Sequence, residues 1–193
     1  MKDPQKIGIF GGTFNPIHNG HLKMAEAARK EYKLSCVYFI PSGNPPHKSK
    51  EKLLSAKIRF ALVQKAIKNK KYFKILDIEI KKRKPCYTID TIRKLSVGID
   101  RDQYLRLYFL IGQDAFEKLH TWKDSEKLAK MVIFLVFPRK KIKTPKIKGL
   151  KWQMVHTKPV NISGREIRKK IHDYKFVSKL IPKEIKNFLN SYK

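Results

Sequence analysis

The sequence predicts an α/β fold in which helices cover both faces of a parallel sheet. Segments typical of strands alternate with segments typical of helices along most of the 193 residues. Two central strand segments, 105–111 and 131–137, are apolar almost throughout, as expected of strands buried on both faces. No internal repeat or low-complexity linker divides the sequence. We therefore expect one domain, residues 1–193, with a Rossmann-like sheet and short C-terminal helices.

Hydrophobic periodicity assigns the elements of the first half of the chain. Apolar residues run continuously through the strand segments and recur at helical spacing between them. Asn19 is a good N-cap, so the first helix should begin at Asn19 or Gly20. In the second predicted helix, Ile58, Ala61, Leu62 and Ala66 form one apolar stripe. The predicted elements are a strand at 6–10, a helix from Asn19 or Gly20, a strand at 36–40, a proline-rich loop at 41–48, a helix at 55–67, a strand at 73–80 and a helix at 88–95.

The second half of the chain continues the alternation. The apolar strand at 105–111 ends at a glycine, and a largely helical segment leads to the second apolar strand. A polar connection precedes a last, short strand. The predicted elements are strands at 105–111, 131–137 and 152–155, helices at 119–130, 163–173 and 182–191, and the polar connection at 140–149.

The net charge of +29, from 45 basic and 16 acidic residues, is extreme. Most of the basic residues are lysines dispersed along the chain, which favours a solvated surface. Steering of an anionic substrate and binding of nucleic acid are the two alternatives. Because the charge is dispersed and no long basic tail occurs, we expect no nucleic-acid partner.

No apolar stretch approaches the length of a membrane span, and the first residues lead directly into a strand. The two cysteines, Cys36 and Cys86, lack the spacing of a metal site. These features predict a cytoplasmic protein without a signal peptide, a membrane partner or a protein-held metal. They do not predict an oligomeric state.

The segment after the first strand has the chemistry of a phosphate cradle. Gly11 and Gly12 let the backbone adopt positive φ and approach a ligand, and Thr13 offers a hydroxyl and an amide. His18 and His21 lie three residues apart at the start of the first helix, so both can face an anion held there. The spacing matches neither a P-loop nor the GxGxxG fingerprint.

A second candidate lies near the C-terminus. Ser163 and Glu166 form a capping-box pattern at the start of a predicted helix. Taken alone, this pattern indicates only a well-capped helix.

The string at 11–21, GGTFNPIHNGH, resembles the GGTFDPxHxGH signature of nucleotidyltransferases that carry an HxGH motif. The string at 162–168, ISGREIR, is similar to the ISSTxIR motif that closes the same family, with Gly164 and Arg165 replacing the usual serine and threonine. The resemblance implies transfer of a nucleotidyl group, with His18 and His21 catalytic. It also implies that Arg168 pairs with the triphosphate, that the backbone role of the second motif is kept, and that Arg165 adds a cation.

Three further segments resemble the bacterial nicotinate-nucleotide adenylyltransferases. These are PPHK at 45–48, CYTIDT at 86–91, and GQD at 112–114, which is followed by Leu119 and by the pair Trp122 and Lys123. The resemblance extends over about residues 6–170. Mild departures are Asn15 for aspartate, Lys84 for glycine and Cys86 for serine.

The resemblance assigns site residues to two substrates. Asp114 follows a strand end, where an acidic residue can bind ribose hydroxyls or cap a helix. Trp122 offers a face for a pyridine ring, although tryptophan at such a position is more often part of a core. The implied ATP-binding residues are Gly11, Gly12, Thr13, Phe14, His18, His21, Gly112, Asp114, Arg139, Ile162, Ser163 and Arg168. The implied nicotinate-nucleotide-binding residues are Asn15, Ser42, Lys48, Tyr87, Thr88 and Trp122.

The implied reaction transfers the adenylyl group of ATP to nicotinate mononucleotide and yields deamido-NAD and pyrophosphate. The phosphate nucleophile is already ionised, so the histidines are expected to stabilise charge and to titrate near neutrality. Mg²⁺ is expected to be carried mainly by the ATP phosphates. The alternatives are an adenylyltransferase acting on nicotinamide mononucleotide or phosphopantetheine and, from another class, a basic nucleic-acid-binding protein.

Overall fold

The computed structural model describes residues 4–45, 53–82, 84–98, 105–157 and 162–190. Within these ranges six strands form one sheet, and every neighbouring pair is parallel. Helices pack on both faces, which confirms the predicted α/β architecture. Lys48 lies outside the described residues.

The element bounds follow the predicted alternation closely in the first half of the chain and less closely afterwards. The strands are β1 (Gln5–Gly12), β2 (Cys36–Pro41), β3 (Phe73–Ile75), β4 (Leu105–Gly112), β5 (Ile133–Phe137) and β6 (Trp152–Met154). The helices are α1 (Asn19–Glu31), α2 (Ala56–Ile67), α3 (Thr88–Gly98), α4 (Gln113–Phe116), α5 (Ser125–Met131), α6 (Gly164–Lys169), α7 (Tyr174–Leu180) and α8 (Lys186–Asn190), with 3₁₀ turns at Leu119–Thr121 and Lys183–Ile185. Across these ranges, none of the helices has the length and apolarity needed to cross a membrane.

The strand order places a crevice at the centre of the sheet. The order is β3-β2-β1-β4-β5-β6, so the chain builds outward from β1 in one direction and from β4 in the other. The connections that follow β1 and β4 therefore leave on opposite faces of the sheet, which opens a crevice between the carboxyl ends of these two strands. Gly12 ends β1 beside Pro41, and Gly112 ends β4 beside Phe137. A ligand site is expected at this edge.

Alternation along each strand divides the core into two apolar layers. Phe10, Phe39 and Leu110 face the layer shared with α1, α2 and the C-terminal helices. Ile9 and Phe109 face the layer shared with α3 and α5. Burial on both faces explains why the central strands are apolar along most of their length.

The strand predicted at 73–80 is shorter than its pattern suggested. β3 ends at Ile75, and a turn closed by the Ile80 amide on the Asp77 carbonyl (2.9 Å) follows. Within that turn Glu79 is buried, and its carboxylate accepts a 2.6 Å hydrogen bond from the Thr91 hydroxyl. The alternating pattern therefore reflects a polar side chain turned inward, not a continued strand.

The helix predicted at 119–130 is divided. α4 follows β4 directly, a 3₁₀ turn comes next, and α5 begins only at Ser125. Asp124 precedes α5 with a left-handed backbone (φ 51°), which no continuous helix tolerates. Trp122 is consequently extended (φ −80°, ψ 145°) and lies in a link, and β5 begins at Ile133 because Met131 still belongs to α5.

The C-terminal region holds three α-helices where two were predicted. α6 ends at Lys169, well before the predicted end at 173. Asp173 instead caps α7, because its Oδ1 accepts a 2.9 Å hydrogen bond from the Phe176 amide. A 3₁₀ turn at Lys183–Ile185 then leads into α8.

The buried face of α2 also differs from the predicted stripe. Ile58 is 39% exposed and Ala61 is exposed, whereas Leu62 and Ala66 are buried as expected. Arg59 is only 1% exposed. The helix is rotated so that an arginine, not Ile58, faces the interior.

The Arg59 guanidinium ties together three segments at the carboxyl edge of the sheet. It donates to the carbonyls of Thr13 (2.7 Å), Gly43 (3.1 Å) and Leu54 (2.9 Å). Burial lowers the pKa of Arg59, and the nearby carboxylate of Glu79 opposes that shift. These bonds satisfy carbonyls in the loops after β1 and β2 that no regular element would satisfy.

We expect Arg59→Met to lower the free energy of unfolding by about 3 kcal/mol, because three carbonyls lose a charged donor at a buried position. Urea unfolding followed by circular dichroism measures the loss. Arg106→Met is the matched control, since Arg106 is exposed on β4, and should change stability by less than about 0.5 kcal/mol. Equal losses in the two variants would contradict the role given to Arg59.

Candidate active site

Two cavities open at the carboxyl edge of the sheet, and Thr13 borders both. The histidine cavity, about 260 Å³, is lined by residues from the β1–α1 connection and from α6. The tryptophan cavity, about 310 Å³, is lined by the ends of β1 and β4, the loop after β2 and the start of α3. The residues of the histidine cavity are Thr13, Phe14, Asn15, Pro16, His18, His21, Gly164, Arg165 and Arg168.

The two histidines of the first motif form one unit. Their rings stack with centroids 3.6 Å apart and an interplanar angle of 25°. His18 is the N-cap of α1, and its backbone amide donates to Nδ1 of His21 at 3.2 Å. Because Nδ1 accepts this bond, the neutral His21 ring carries its proton on Nε2. Asn19, expected as the cap, instead donates from its side chain to the carbonyls of Lys179 and Ile181 (3.1 and 3.2 Å).

Both imidazoles of the histidine cavity are held neutral. Burial, with the charge of Arg139 as a smaller cause, lowers the pKa of His18 to about 4. Burial and the neighbouring His18 ring lower the pKa of His21 well below its usual range. The expectation that the two histidines titrate near neutrality is therefore wrong, because both pKa values are lowered. At neutral pH the rings act as N–H donors, not as imidazolium ions.

Two polar atoms in this cavity have no partner among the described residues. They are Nδ1 of His18 and Nδ2 of Asn15, and both are buried. Leaving such atoms unpaired is costly, so they mark a place where a bound group completes the hydrogen bonding. Asn15 had been assigned to the nicotinate nucleotide, but the structure places it beside the histidines.

Residues of α6 close the other side of the histidine cavity. Nη1 of Arg168 donates to the Asn15 carbonyl at 2.7 Å, and the Ser163 hydroxyl accepts from the Glu166 amide at 3.1 Å, which confirms the predicted cap. A Cβ on Gly164 would stand 3.3 Å from both Nη1 of Arg168 and the Asn15 carbonyl. Gly164, which replaces the usual serine of the family motif, thus lets the α6 backbone lie close to the Arg168 side chain and the Asn15 carbonyl.

The paired glycines of β1 act differently from expectation. Gly11 and Gly12 are strand residues beside Ile40 and Pro41, and neither has positive φ. The left-handed residue is Phe14 (φ 47°).

The side chain of Phe14 explains the second glycine. Its ring is 2% exposed and packs on Phe10 and on His21. A Cβ on Gly12 would meet that ring at 3.2 Å. The glycine therefore makes room for the turn that carries Thr13 into the site.

The tryptophan cavity gathers most of the predicted acceptor residues. Ser42, Tyr87, Thr88 and Trp122 line it, together with Gly112 at the end of β4. The Trp122 ring meets Phe109 edge to face, with centroids 6.0 Å apart at 87°. Trp122 is half-buried, so one part of the ring packs on the core while another part borders the cavity.

Four predicted ATP residues lie outside both linings. Arg139 and Asp114 are exposed and pair with each other, with Nη1 3.4 Å from Oδ2. Asp114 lies within the first turn of α4, whose cap is Gly112, so the alternative of a capping aspartate is wrong. The other two are Ile162, which packs against the core, and Ser163, the cap of α6.

Comparison with known proteins identifies the family. The family described as cytidylyltransferase-like matches residues 9–170. The chain belongs to that family. It is 37% identical to the probable nicotinate-nucleotide adenylyltransferase of Clostridium tetani, over 97% of this chain and 98% of the relative. It is 34% identical to the protein of the same name from Thermoanaerobacter sp., over 100% and 95% of the two chains.

Solved structures agree on the fold. The nicotinic acid mononucleotide adenylyltransferase of Plasmodium falciparum, complexed with NaAD, superposes with a TM-score of 0.77 at 20% identity, over 97% of this chain and 96% of that one. The same enzyme complexed with APC gives a TM-score of 0.73 at 19% identity, over the same shares of the two chains. These structures confirm the fold, while the family match and the curated relatives confirm the membership predicted from the sequence motifs.

Sequence reasoning missed a residue that positions the backbone at Arg139, one of the implied ATP-binding residues. Gln113 is fully buried, and its Oε1 accepts from the amides of Arg139 (2.7 Å) and Lys140 (3.0 Å). Its Nε2 donates to Glu117 (2.7 Å) and to the Lys141 carbonyl (3.1 Å). A glutamine between a glycine and an aspartate gives no local signal of burial, because its partners lie 26 residues or more away along the chain for three of the four bonds.

Burial of His18 predicts a pH dependence of stability. The folded pKa, about 4, lies below the ordinary value of 6.5, so the unfolded chain takes up the proton first as the pH falls. Stability is then lost from about pH 6.5 downward until about pH 4. We expect His18 to account for a loss of about 2 kcal/mol between pH 8 and pH 5. Urea unfolding across this range measures it.

His18→Asn should remove the part of that pH dependence that belongs to His18 and leave the part that belongs to His21, whose pKa is also lowered. Asparagine is a good N-cap residue and does not titrate in this range. His120→Gln is the control, because His120 is exposed, and it should retain the wild-type slope. A wild-type slope in His18→Asn would refute the assignment of the lowered pKa to His18.

Proposed function

We propose that this protein transfers the adenylyl group of ATP to nicotinate mononucleotide, giving deamido-NAD and pyrophosphate. The observation that carries the proposal is the pair of adjoining cavities that share Thr13. One holds a buried imidazole (His18), a half-buried imidazole (His21) and two arginines, and the other holds an aromatic wall. The names of the relatives from Clostridium tetani and Thermoanaerobacter support the same activity.

In the proposed reaction a phosphate oxygen of the acceptor nucleotide attacks the α-phosphorus of ATP. A new P–O bond forms while the bond to the bridging oxygen breaks, and pyrophosphate carries away the electron pair. The attacking oxygen is ionised at neutral pH, so no general base is needed. Holding the two phosphates in line accounts for much of the rate.

The histidines supply hydrogen bonds to the charge that develops. Nε2–H of His21 is available because Nδ1 is engaged by the His18 amide. His18 contributes a ring whose Nδ1 has no partner within the described ranges. Neutral donors fixed in a buried site stabilise a transition state without first having to reorganise.

Cationic side chains complete the proposed triphosphate site. Arg165 and Arg168 line the histidine cavity, and Arg168 is anchored on the Asn15 carbonyl. Gln113 fixes the backbone amide of Arg139, and the charge of Arg139 acts on His18. Bidentate guanidinium groups suit phosphate oxygens.

We propose that Mg²⁺ enters with ATP and neutralises phosphate charge when bound. The described residues contain no group of three His, Cys, Asp or Glu side chains suited to hold a metal. The imidazoles and guanidiniums of the histidine cavity suit anions, and Mg²⁺ is usually held through substrate phosphates. Residues 1–193 as one domain and a cytoplasmic location stay predictions from the sequence.

The proposed acceptor site is the tryptophan cavity. A pyridine ring can stack on the part of Trp122 that borders the cavity. α3 begins at Thr88, and the amides that open a helix can bind a carboxylate. The amides of Asp90 and Thr91 already donate to the Tyr87 carbonyl (3.1 and 3.3 Å), so the proposed donors are those of Thr88 and Ile89. Lys48, outside the described residues, stays a predicted ligand.

Pyrophosphate release with ATP and Mg²⁺ tests this function. We expect release with nicotinate mononucleotide, and less with nicotinamide mononucleotide or phosphopantetheine. Preference for either of the other acceptors would keep adenylyl transfer and discard the pyridine-carboxylate site. No release with any of them, together with salt-sensitive retention on DNA, would favour the basic nucleic-acid-binding alternative.

His18→Ala should lower kcat by more than about 100-fold with a modest change in KM, because a donor to the transition state is lost. Steady-state pyrophosphate release measures both constants. His18→Asn, which retains an N–H donor and a capping side chain, should recover part of the rate.

His120→Ala serves as the kinetic control, since His120 is exposed and lies in neither cavity lining. A wild-type kcat in His18→Ala would remove His18 from the mechanism.

A further inference from the structure

Lys123 places an ammonium group at the mouth of the tryptophan cavity. The residue lines that cavity beside Trp122, and its side chain is 47% exposed. Lys123 belongs to the motif at 112–123 that resembles the family, but the sequence analysis assigns it to neither substrate.

Two contacts fix the ammonium over the start of α3. Nζ of Lys123 lies 4.7 Å from the centroid of the Tyr87 ring and 3.3 Å from Oδ2 of Asp90. Tyr87 directly precedes α3, and Asp90 belongs to its first turn. The cation therefore stands at the N-terminus of an eleven-residue helix, where the helix dipole already favours negative charge.

The charges around this point leave an excess of positive charge. Asp90 is shared between Lys123 and Arg93, whose Nη1 lies 3.6 Å from Oδ1. Asp124 is likewise shared between Arg93 and Lys127, at 3.6 and 3.4 Å. Three cations thus meet two carboxylates in this cluster, and of its members Lys123 is the one that lines the cavity.

Glu79 is the remaining acidic group of this cavity. It is 7% exposed and accepts a 2.6 Å hydrogen bond from Thr91. Burial raises the pKa of Glu79, against the opposing effect of the Thr91 hydrogen bond. A raised pKa favours the neutral carboxyl, so Glu79 weakens the attraction of the mouth for an anion less than an exposed carboxylate would.

We propose that the Lys123 side chain is a specificity-determining group, which favours an acceptor whose pyridine ring carries a carboxylate over one whose ring carries a carboxamide. The inference rests on the proposed function. The two substituents have nearly the same shape, so packing against Trp122 separates them poorly, whereas a fixed positive charge separates them directly.

The test compares kcat/KM for nicotinate mononucleotide and nicotinamide mononucleotide, measured by pyrophosphate release. Lys123→Gln should lower the ratio of the two values by about fivefold, the size expected of one partly exposed charge pair. The change should be a higher KM for nicotinate mononucleotide, because binding of its carboxylate is weakened. Lys123→Arg should retain most of the ratio, and added salt should lower the wild-type ratio but not that of Lys123→Gln.

Lys127→Gln is the matched control, because Lys127 carries the same charge nearby but does not line the cavity. It should keep the wild-type ratio. An unchanged ratio in Lys123→Gln, or equal losses for both substrates, would overturn the inference while leaving the proposed function intact. A wild-type protein that turns over neither nucleotide would overturn the proposed function itself.

Discussion

The site depends on one buried cation, the guanidinium of Arg59. Its bonds to the carbonyls of Thr13, Gly43 and Leu54 join the connections that follow β1 and β2 to the start of α2. Those connections run where the parallel sheet ends, so the backbone there has no ladder partners and must find donors elsewhere. Because Thr13 borders both cavities, the arginine fixes the point at which two substrates would meet. A rigid frame of this kind is what reactions governed by positioning require.

Burial decides the chemistry of the histidine pair. A solvated pair at a helix start would carry charge over part of the physiological pH range. The two rings stack at 3.6 Å, and the removal of water around them lowers both pKa values, so the rings are kept neutral. In the proposed reaction they donate hydrogen bonds. Charge in the cavity is supplied instead by arginines from α6. In the proposed function this arrangement separates two tasks: the arginines would attract and hold a triphosphate, and the imidazoles would stabilise the charge that moves during transfer.

The sequence was sufficient for the fold and for the contiguous motifs. Apolar runs and helical periodicity predicted the parallel sheet, and the strings at 11–21 and 162–168 do meet in one cavity. What failed depended on contacts distant in sequence. Arg59 on α2 and Gln113 on α4 are polar residues whose burial is set by carbonyls and amides of other loops. The segment that ends at Glu79 was predicted as a strand for the same reason. Its polar residues alternate with apolar ones as on a half-exposed strand, whereas the Glu79 carboxyl in fact points inward to Thr91.

Direct transfer between the two cavities is the central claim of this account, and the stereochemical course at phosphorus tests it most directly. ATP made chiral at the α-phosphorus with sulfur and an oxygen isotope would be converted with nicotinate mononucleotide, and the configuration of the product determined. A single in-line attack across Thr13 predicts inversion. Retention would show two successive displacements through a covalent adenylyl–enzyme and would contradict the assignment of His18 and His21 as hydrogen-bond donors.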